Sequence, residues 1–345
     1  MSTFPESVLL GDIGATNARL ALATETVLGP ITTFEVNRFA RFTDVVNVFL
    51  RDHSGRSRLS HALFAIAAPI DGKRCVLTNS RWVIEAAELQ ARFGLQSELL
   101  NDFAAVANSL PLLGPADLAK LGGGAGDKTS PMAVLGPGTG LGVACLIRRA
   151  DKPVVIASEG GHATLAATCD REDRIIQHLR QRFGHVSAER ALSSPGLENI
   201  YQAIGAVDKV ETALQNATQI TESALRGECN VAVEALNTFC AFLGSFAGNV
   251  ALTFDARGGV YIAGGISSRI VDFMRRSPFR VRFEGKGRFQ QYLKPIPVHV
   301  ITHPAAAFIG LKSFFQTVNK KVRGTLPPRS SQVAHTRRGA ADRQQ

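Results

Sequence analysis

The sequence predicts an α/β protein built from two similar halves, on three observations. Apolar strand-like runs alternate with helical patterns along the chain, the order expected of sheets covered by helices. One design, apolar strand, glycine turn and apolar strand, occurs in "VLLGDIGATNARLALA" at residues 8–23 and again in "PMAVLGPGTGLGVACLIRR" at 131–149. The 345 residues suffice for two domains.

The elements follow in order. Strands are expected over "SVLLGD" and "ARLALATE", separated by the turn "IGATN". Residues 43–52 repeat apolar groups at helical spacing, and "HALFAIAAPI" is a buried strand ended by Pro69. "CVLTNSRWVI" is a strand that breaks at Asn79-Ser80, and a helix follows from about Glu85 to Arg92. "SELLNDFAAVANSL" is a short strand running into a helix, with Asn101-Asp102 at the junction. "LGGGAGDKTS" reads as a loop and a boundary marker.

After the second glycine hairpin, "PVVIASEGGHATL" is a strand broken at Glu159-Gly160-Gly161-His162. Residues 171–183 form an amphipathic helix, and "GHVSAERALSSPGLENIYQAI" reads as short helices with Ser187 as a cap. A long helix spans 230–252, apolar enough to resemble a membrane span. It carries Glu234, Asn237 and Asn249, so a buried core helix is expected instead. "GGVYIAGGISSRIVDFM" is strand, glycine turn and helix, "IPVHVIT" a late strand, and "AAAFIGLKSFFQTV" a closing helix.

Hydrophobic residues are 45% and charged residues 20%, an ordinary globular balance. The net charge of +10 suggests nucleic acid until it is mapped. From Lys320 to Gln345 seven Lys and Arg stand against Asp342 alone, which leaves +4 for the rest. That segment has almost no large apolar side chains and is expected to be a disordered, solvated tail. The body is mildly basic, which suits an anionic small substrate, and no nucleic-acid partner is expected. The five cysteines are scattered without a CxxC pair, so neither a zinc site nor a disulfide framework is indicated. With no basic n-region at the N-terminus, a reducing, cytoplasmic setting is expected.

Asp12 sits at the end of an apolar strand beside a turn. An aspartate there can be a simple turn former. Here the turn also supplies Gly14, Thr16 and Asn17, whose backbone and side chains suit phosphate oxygens. Asp12 would then stand where it could hold Mg²⁺, usually through water. "GPGTGLG" is no dinucleotide fingerprint, since position 141 is Leu and a strand follows; nor does GxxxxGK[ST] occur anywhere. What remains is a hairpin that is either structural or an anion nest of amides with the Thr139 hydroxyl. In "GGVYIAGGI", Gly264 and Gly265 let backbone pack flat against a base.

Asp102 reads as a helix cap or as a general base accepting a hydroxyl proton in phosphoryl transfer. Glu159, His162 and Glu189 are the groups that could hold a polyhydroxyl substrate in line. A lone histidine is more often structural, and His185 is left so.

At this point the chain resembles the bacterial ATP-dependent glucokinases of the hexokinase, sugar kinase and actin-like superfamily. The resemblance is carried by "GDIGATNARLAL", "AAPI", "LTNSRW", "NDFAAVA", "GPGTGLGVA", "EGGHATLAA", "GHVSAERALSSPGL", "GGVYIAGGI", "FEGKGRF" and "PAAAFIGL", in family order from about residue 8 to 312. It implies a two-lobed actin-like ATPase (ribonuclease H-like) fold with an interlobe cleft. The small lobe would be 1–112 plus 302–318 and the large lobe 113–301, with 319–345 the basic tail. It implies transfer of the ATP γ-phosphoryl group to the 6-hydroxyl of glucose, with Asp102 as base. Asn101, Asp102, Glu159, His162 and Glu189 match sugar positions. Gly11, Asp12, Ile13, Gly14, Ala15, Thr16, Asn17, Gly138, Thr139, Gly140, Gly264 and Gly265 match the nucleotide loops, with Asp12 linked to Mg²⁺. A homodimer, and no membrane, are implied as well.

Some positions depart from the family pattern. Ala15 stands where a second glycine is usual, which would alter the first phosphate loop, and Ser194 stands where glycine is common. The cysteine motif of the zinc-containing relatives is absent, so no structural metal is expected. Two other readings stay open at this point. One is a kinase for another hexose or hexosamine. The other is a sugar-sensing regulator, for which a first strand at about Ser7 leaves no room for a preceding helix-turn-helix.

Overall fold

The computed structural model describes residues 7–53, 59–77, 80–149 and 153–324. The first sheet begins with β1 (Ser7–Ile13), which turns back on β2 (Asn17–Ala23) and then β3 (Thr32–Glu35). Helix α1 (Phe42–Asp52) leads to β4 (Leu59–Ile66), parallel to β1. The small strands β5 (Ile70–Asp71), β6 (Arg74–Val76) and β7 (Val83–Glu85) make a separate three-stranded flap. Of the expected break in that region, Asn79 lies outside the described residues. The flap is tied down by Trp82, fully buried, whose Nε1–H donates to the Phe39 carbonyl at 3.0 Å. Helix α2 (Ala86–Phe93) ends at Gly94 in the left-handed region, and β8 (Gln96–Asn101) then adds beside β4. The sheet order is β3-β2-β1-β4-β8.

Helix α3 (Asp102–Ser109) carries the chain out of this sheet. The second sheet starts with β9 (Leu118–Gly122), so "LGGGAGDKTS" lies within the second half rather than at its boundary. There follow β10 (Met132–Pro137), β11 (Leu141–Ile147) and β12 (Val154–Ser158). The helical layer comprises α4 (Asp170–Phe183), α5 (Ser194–Asp208), α6 (Ala217–Arg226) and α7 (Asn230–Phe254). Then come β13 (Gly259–Ile262), the short helices α8 (Gly265–Arg269), α9 (Val271–Arg276), α10 (Phe279–Glu284) and α11 (Gln290–Leu293), and β14 (Val298–Ile301). Helix α12 (Ala306–Gly324) returns to the first sheet. Its backbone stays helical beyond 318, where the sequence reading began its tail; residues from 325 lie outside the described ones.

The sheet order of the second half is β12-β11-β10-β13-β14-β9. Its first five strands repeat the first sheet pair for pair. In each, two antiparallel steps are followed by two parallel ones. The two glycine hairpins, β1–β2 and β10–β11, therefore occupy equivalent places in two halves.

Each sheet is covered on both faces. Phe42, Phe49, Phe64 and Trp82 fill one side of the first sheet, and Leu10, Phe308, Leu311 and Phe315 the other. Each such buried side chain contributes about 1.5–3 kcal/mol. In the second half, α7 is the central core helix. It is long and apolar enough to cross a membrane by composition, yet it is largely buried, with Phe239, Phe242 and Leu243 fully inside. Gly244 and Gly248 let the α10 backbone lie against it.

One helical stretch differs from expectation. "SSPGLENIYQAI" is not a set of short pieces but the single helix α5 of 15 residues. Its cap is Ser193, whose Oγ accepts from the Gly196 amide at 3.0 Å; Ser187 makes no side-chain cap bond. Pro195 at the first turn costs no hydrogen bond there.

Candidate active site

A cavity of about 490 Å³ opens between the two sheets. Ala15, Asn101, Asp102, Gly138, Thr139, Gly140, Glu159, His162, Glu189 and Gly264 all line it. Residues from six separated stretches of chain thus meet in one place.

Asn101 and Asp102 sit where β8 becomes α3. Asn101 is the helix cap: its Oδ1 accepts from the Ala104 amide at 3.1 Å. That frees Asp102 from the capping role the sequence left open. Its Oδ1 accepts from the Phe103 amide at 2.9 Å, which fixes the carboxyl at the helix start. Burial pushes the Asp102 pKa up to about 7, and the carboxylates of Asp12 and Glu159 push the same way against the Phe103 amide. A carboxyl poised there is matched to general-base work near neutral pH.

The β10–β11 turn is closed by the Gly138 amide donating to the Gly140 carbonyl at 2.8 Å. The amides of Thr139 and Gly140 have no partner among the described residues, which leaves a pair of donors for an anion. Glu189, in the short turn Ala188–Arg190, reaches this hairpin from the other side. Its Oε2 accepts from the Leu141 amide at 2.9 Å, and a Cβ at Gly140 would lie 2.5 Å from that same oxygen. Glu159 and His162 flank the tight turn Gly160–His162, exposed toward the cavity. A Cβ at Gly161 would lie 2.0 Å from the Leu141 carbonyl oxygen, so glycine sets how closely this turn presses on β11.

Gly264 has φ 98°, and a Cβ there would lie 2.2 Å from the Pro137 carbonyl oxygen. It brings the start of α8 against the end of β10, at the cavity wall. Gly265, its neighbour, is exposed but does not line the cavity.

The first hairpin differs from expectation in three respects. Gly14 does not use the left-handed region; the turn closes through its amide donating to the Asn17 carbonyl at 2.9 Å. For the same reason Ala15 fits without backbone strain, since among the described residues only Lys209 and Asp255 are non-glycine with positive φ. Gly11 and Ile13 point into the core rather than the cavity. A Cβ at Gly11 would meet the Phe64 ring at 2.6 Å, and Ile13 is fully buried. Thr16 and Asn17 are exposed at the turn and do not line the cavity.

Asp12 stands just behind this turn, close enough to act electrostatically on Asp102. Its Oδ2 is held by Arg19, directly opposite on β2, through Nε at 3.1 Å and through Nη2. Its Oδ1 is unengaged among the described residues. Among those residues no group of three or more His, Cys, Asp or Glu side chains gathers as a metal cage. The Oδ1 of Asp12 offers a single carboxylate oxygen, which fits a cation that takes water and phosphate as its other ligands.

Sequence reasoning missed Arg19, Phe103 and Ser158, the last of which lines the cavity and accepts from the Gly160 amide at 2.9 Å. For Arg19 a signal was present. In a hairpin with a two-residue turn, Asp12 and Arg19 lie equally far from the turn and must face each other.

The family model for glucokinase matches residues 9–318. A glucokinase of Paramagnetospirillum magneticum is 46% identical over 311 residues, which is 89% of this chain and 96% of that protein. The chain belongs to the glucokinase family. Within that family it is an ATP-dependent hexose kinase that converts glucose to glucose 6-phosphate. The crystal structure of a glucokinase from an Antarctic psychrotroph matches with a TM-score of 0.81 at 37% identity, covering 90% of this chain and 99% of that one. A glucokinase of Streptomyces griseus, solved with glucose and AMPPNP, has a TM-score of 0.59 at 19% identity over 89% of this chain and 98% of that one, a likeness of fold. The glucokinase-family fold is thus the actin-like two-domain one, with the cavity at its interlobe cleft.

Proposed function

We propose that Asp102 is the base of this glucokinase and that the cavity holds glucose beside the terminal phosphate of Mg-ATP. The observation that carries the reading is that Asp102, raised to about 7, shares one cavity with the open amides of the Thr139 turn. Asn101, Glu159, His162 and Glu189 surround the remaining space and supply donors and acceptors for sugar hydroxyls. Glu189 spends Oε2 on the Leu141 amide, which leaves Oε1 for substrate.

The sugar 6-hydroxyl gives its proton to an Asp102 oxygen as its own oxygen bonds to the γ-phosphorus. The bond from that phosphorus to the bridging oxygen breaks, and ADP leaves with the electron pair. In-line placement supplies most of the rate, and the base contributes about 10²–10⁴-fold. The hairpin at 14–17, the turn at 138–140 and the glycines at 264 and 265 are assigned to the nucleotide. Mg²⁺, when bound, neutralises the β- and γ-phosphate oxygens, and Asp12 would hold it through water.

The family's dimeric habit is carried over as a homodimer of this chain. A cytoplasmic setting fits five cysteines that are all free. Lobes of 1–112 plus 302–318 and of 113–301 are carried over; support for them is that β8 is the last strand of the first sheet and that α12 packs back against that sheet.

The test is ADP release with Mg-ATP and, separately, glucose, mannose, fructose and N-acetylglucosamine. Glucose should give the highest kcat/KM. Asp102→Asn should fold and lose about 10²–10⁴-fold in kcat. Turnover near that of the unaltered protein would overturn the assignment of the base.

A further inference from the structure

We infer that Arg19 is a positioning residue of the phosphoryl-transfer site: it immobilises one oxygen of Asp12 so that the other is presented to the hydrated cation that accompanies the nucleotide. The inference rests on the nucleotide reading given above.

Arg19 is not an ordinary surface ion-pair partner. Two of its nitrogens, Nε and Nη2, converge on the same Asp12 oxygen. A third, Nη1, donates to the Pro304 carbonyl at 2.9 Å. The guanidinium carbon lies over the Phe308 ring of α12, 5.7 Å from its centroid. Side-chain exposure is 33% for Arg19 and 18% for Asp12, so the pair is partly buried but still reachable by water.

The anchor also matters. Pro304 lies on the segment that carries the chain back from β14 to α12. That segment is bonded to the outward crossing, since the Thr302 amide donates to the Asp117 carbonyl at 2.8 Å. Arg19 therefore refers the position of Asp12 to a place where the two crossings between the halves are bonded to each other. A carboxylate that must work through water needs such a reference, because a free rotamer would spread the water shell over several positions. Without the fork, Asp12 would also act on Asp102 as an uncompensated like charge.

A purely structural role makes a different prediction. If Arg19 only ties β2 to α12, its loss weakens the fold and lowers affinity for nucleotide and sugar alike. If it positions Asp12, its loss falls on the metal-dependent part of nucleotide affinity.

The experiment measures the Kd of AMPPNP by calorimetry with excess Mg²⁺ and again with EDTA, on the full chain and on Arg19→Met and Arg19→Lys. Met keeps the apolar stem, and Lys keeps the stem and the charge but has no fork. The expected result is that the Mg²⁺-induced tightening falls by about 10-fold or more in both variants, the scale for loss of a group that orients a metal ligand. The Kd in EDTA and the Kd for glucose should move less than about twofold. A full Mg²⁺ response in Arg19→Lys overturns the inference, and this holds even if Arg19→Met does not fold. Equal weakening with and without Mg²⁺ also overturns it, in favour of the structural role. Absence of any Mg²⁺ response in the unaltered protein takes down the nucleotide reading together with this one.

Discussion

The ring of Phe103 occupies the space that a side chain at Gly142 would need. A Cβ on Gly142 would lie 1.8 Å from the ring's Cδ2, and one on Gly136 would lie 2.9 Å from its Cζ. Phe103 follows Asp102 in sequence, while Gly136 and Gly142 are the cross-strand pair at the base of the second glycine hairpin. The residue next to the base is thus seated in the hairpin assigned to phosphate. Gly142→Ala should push the ring out and drag the carboxyl with it. Overpacking of this kind costs about 1–3 kcal/mol, and a displacement near 1 Å costs on the order of 10²-fold in kcat. Phe103→Leu in the same chain should restore part of both. Tm and kcat of the two single variants and the double variant check this; strict additivity would mean that the ring and the glycine are not coupled.

The pH dependence follows from the same carboxyl. The base works when deprotonated, so kcat/KM should rise with pH through about 7, the value to which burial pushes Asp102. Stability runs the other way. A carboxyl whose folded pKa lies above its unfolded value of 3.8 favours the folded state below that value and loses this contribution as pH climbs through about 7. Asp102→Asn should therefore melt higher than the unaltered protein at pH 8. The gain should shrink toward pH 5, with a full span on the order of a few kcal/mol. Melting curves at three pH values decide it, and a gap that does not change with pH would place the Asp102 carboxyl in water.

Gly140 separates sugar binding from nucleotide binding in a single position. Its missing side chain is what lets Glu189 accept from the Leu141 amide. Gly140→Ala should expel that carboxylate oxygen and raise KM for glucose by about 10-fold or more, the scale of a lost bond to a charged group. Affinity for nucleotide without sugar should change far less. Isothermal titration with each ligand alone distinguishes the two, and equal losses would mean that the hairpin itself has collapsed.

Much of this was legible in the sequence because it depends on local pattern. Glycine turns between apolar runs announce hairpins wherever they occur, and Asn-Asp before "FAAVA" announces a helix start. The equivalence of the two halves was legible as a repeated design but not as identity, because pairing order constrains backbone more than side chains. What escaped were relations between distant segments. Nothing near Phe103 says that its ring needs two glycines some thirty to forty residues away. Gly11 falls in the pattern of a phosphate loop, but the Phe64 and Leu20 side chains that fill the space of its missing side chain belong to neighbouring strands. Asp102 against Asn101 as the cap was ambiguous by sequence, since both residue types cap well; only the backbone geometry at Ala104 separates them.

The second half of the molecule carries a buried charge pair that should govern stability without touching catalysis. Glu172 on α4, only 5% exposed, takes two bonds from Arg282 on α10 at 2.7 and 2.9 Å. Its Oε2 also accepts from the Thr168 amide at 2.8 Å. Burial alone would raise its pKa, but these bonds more than reverse that and hold the carboxyl below the ordinary value. Its contribution is thus present at neutral pH and lost as the pH falls through the lowered value. Removing only the cation strands a buried carboxylate, so Arg282→Met should cost about 3–5 kcal/mol. Replacing both, as Glu172→Met with Arg282→Met, removes that penalty and should recover most of the loss. Neither residue lines the cavity, so kcat of the folded fraction should stay within about twofold. Urea melts beside initial rates at low temperature check both halves of this prediction. A double variant as unstable as Arg282→Met would mean that the pair contributes more than the escape from its own desolvation.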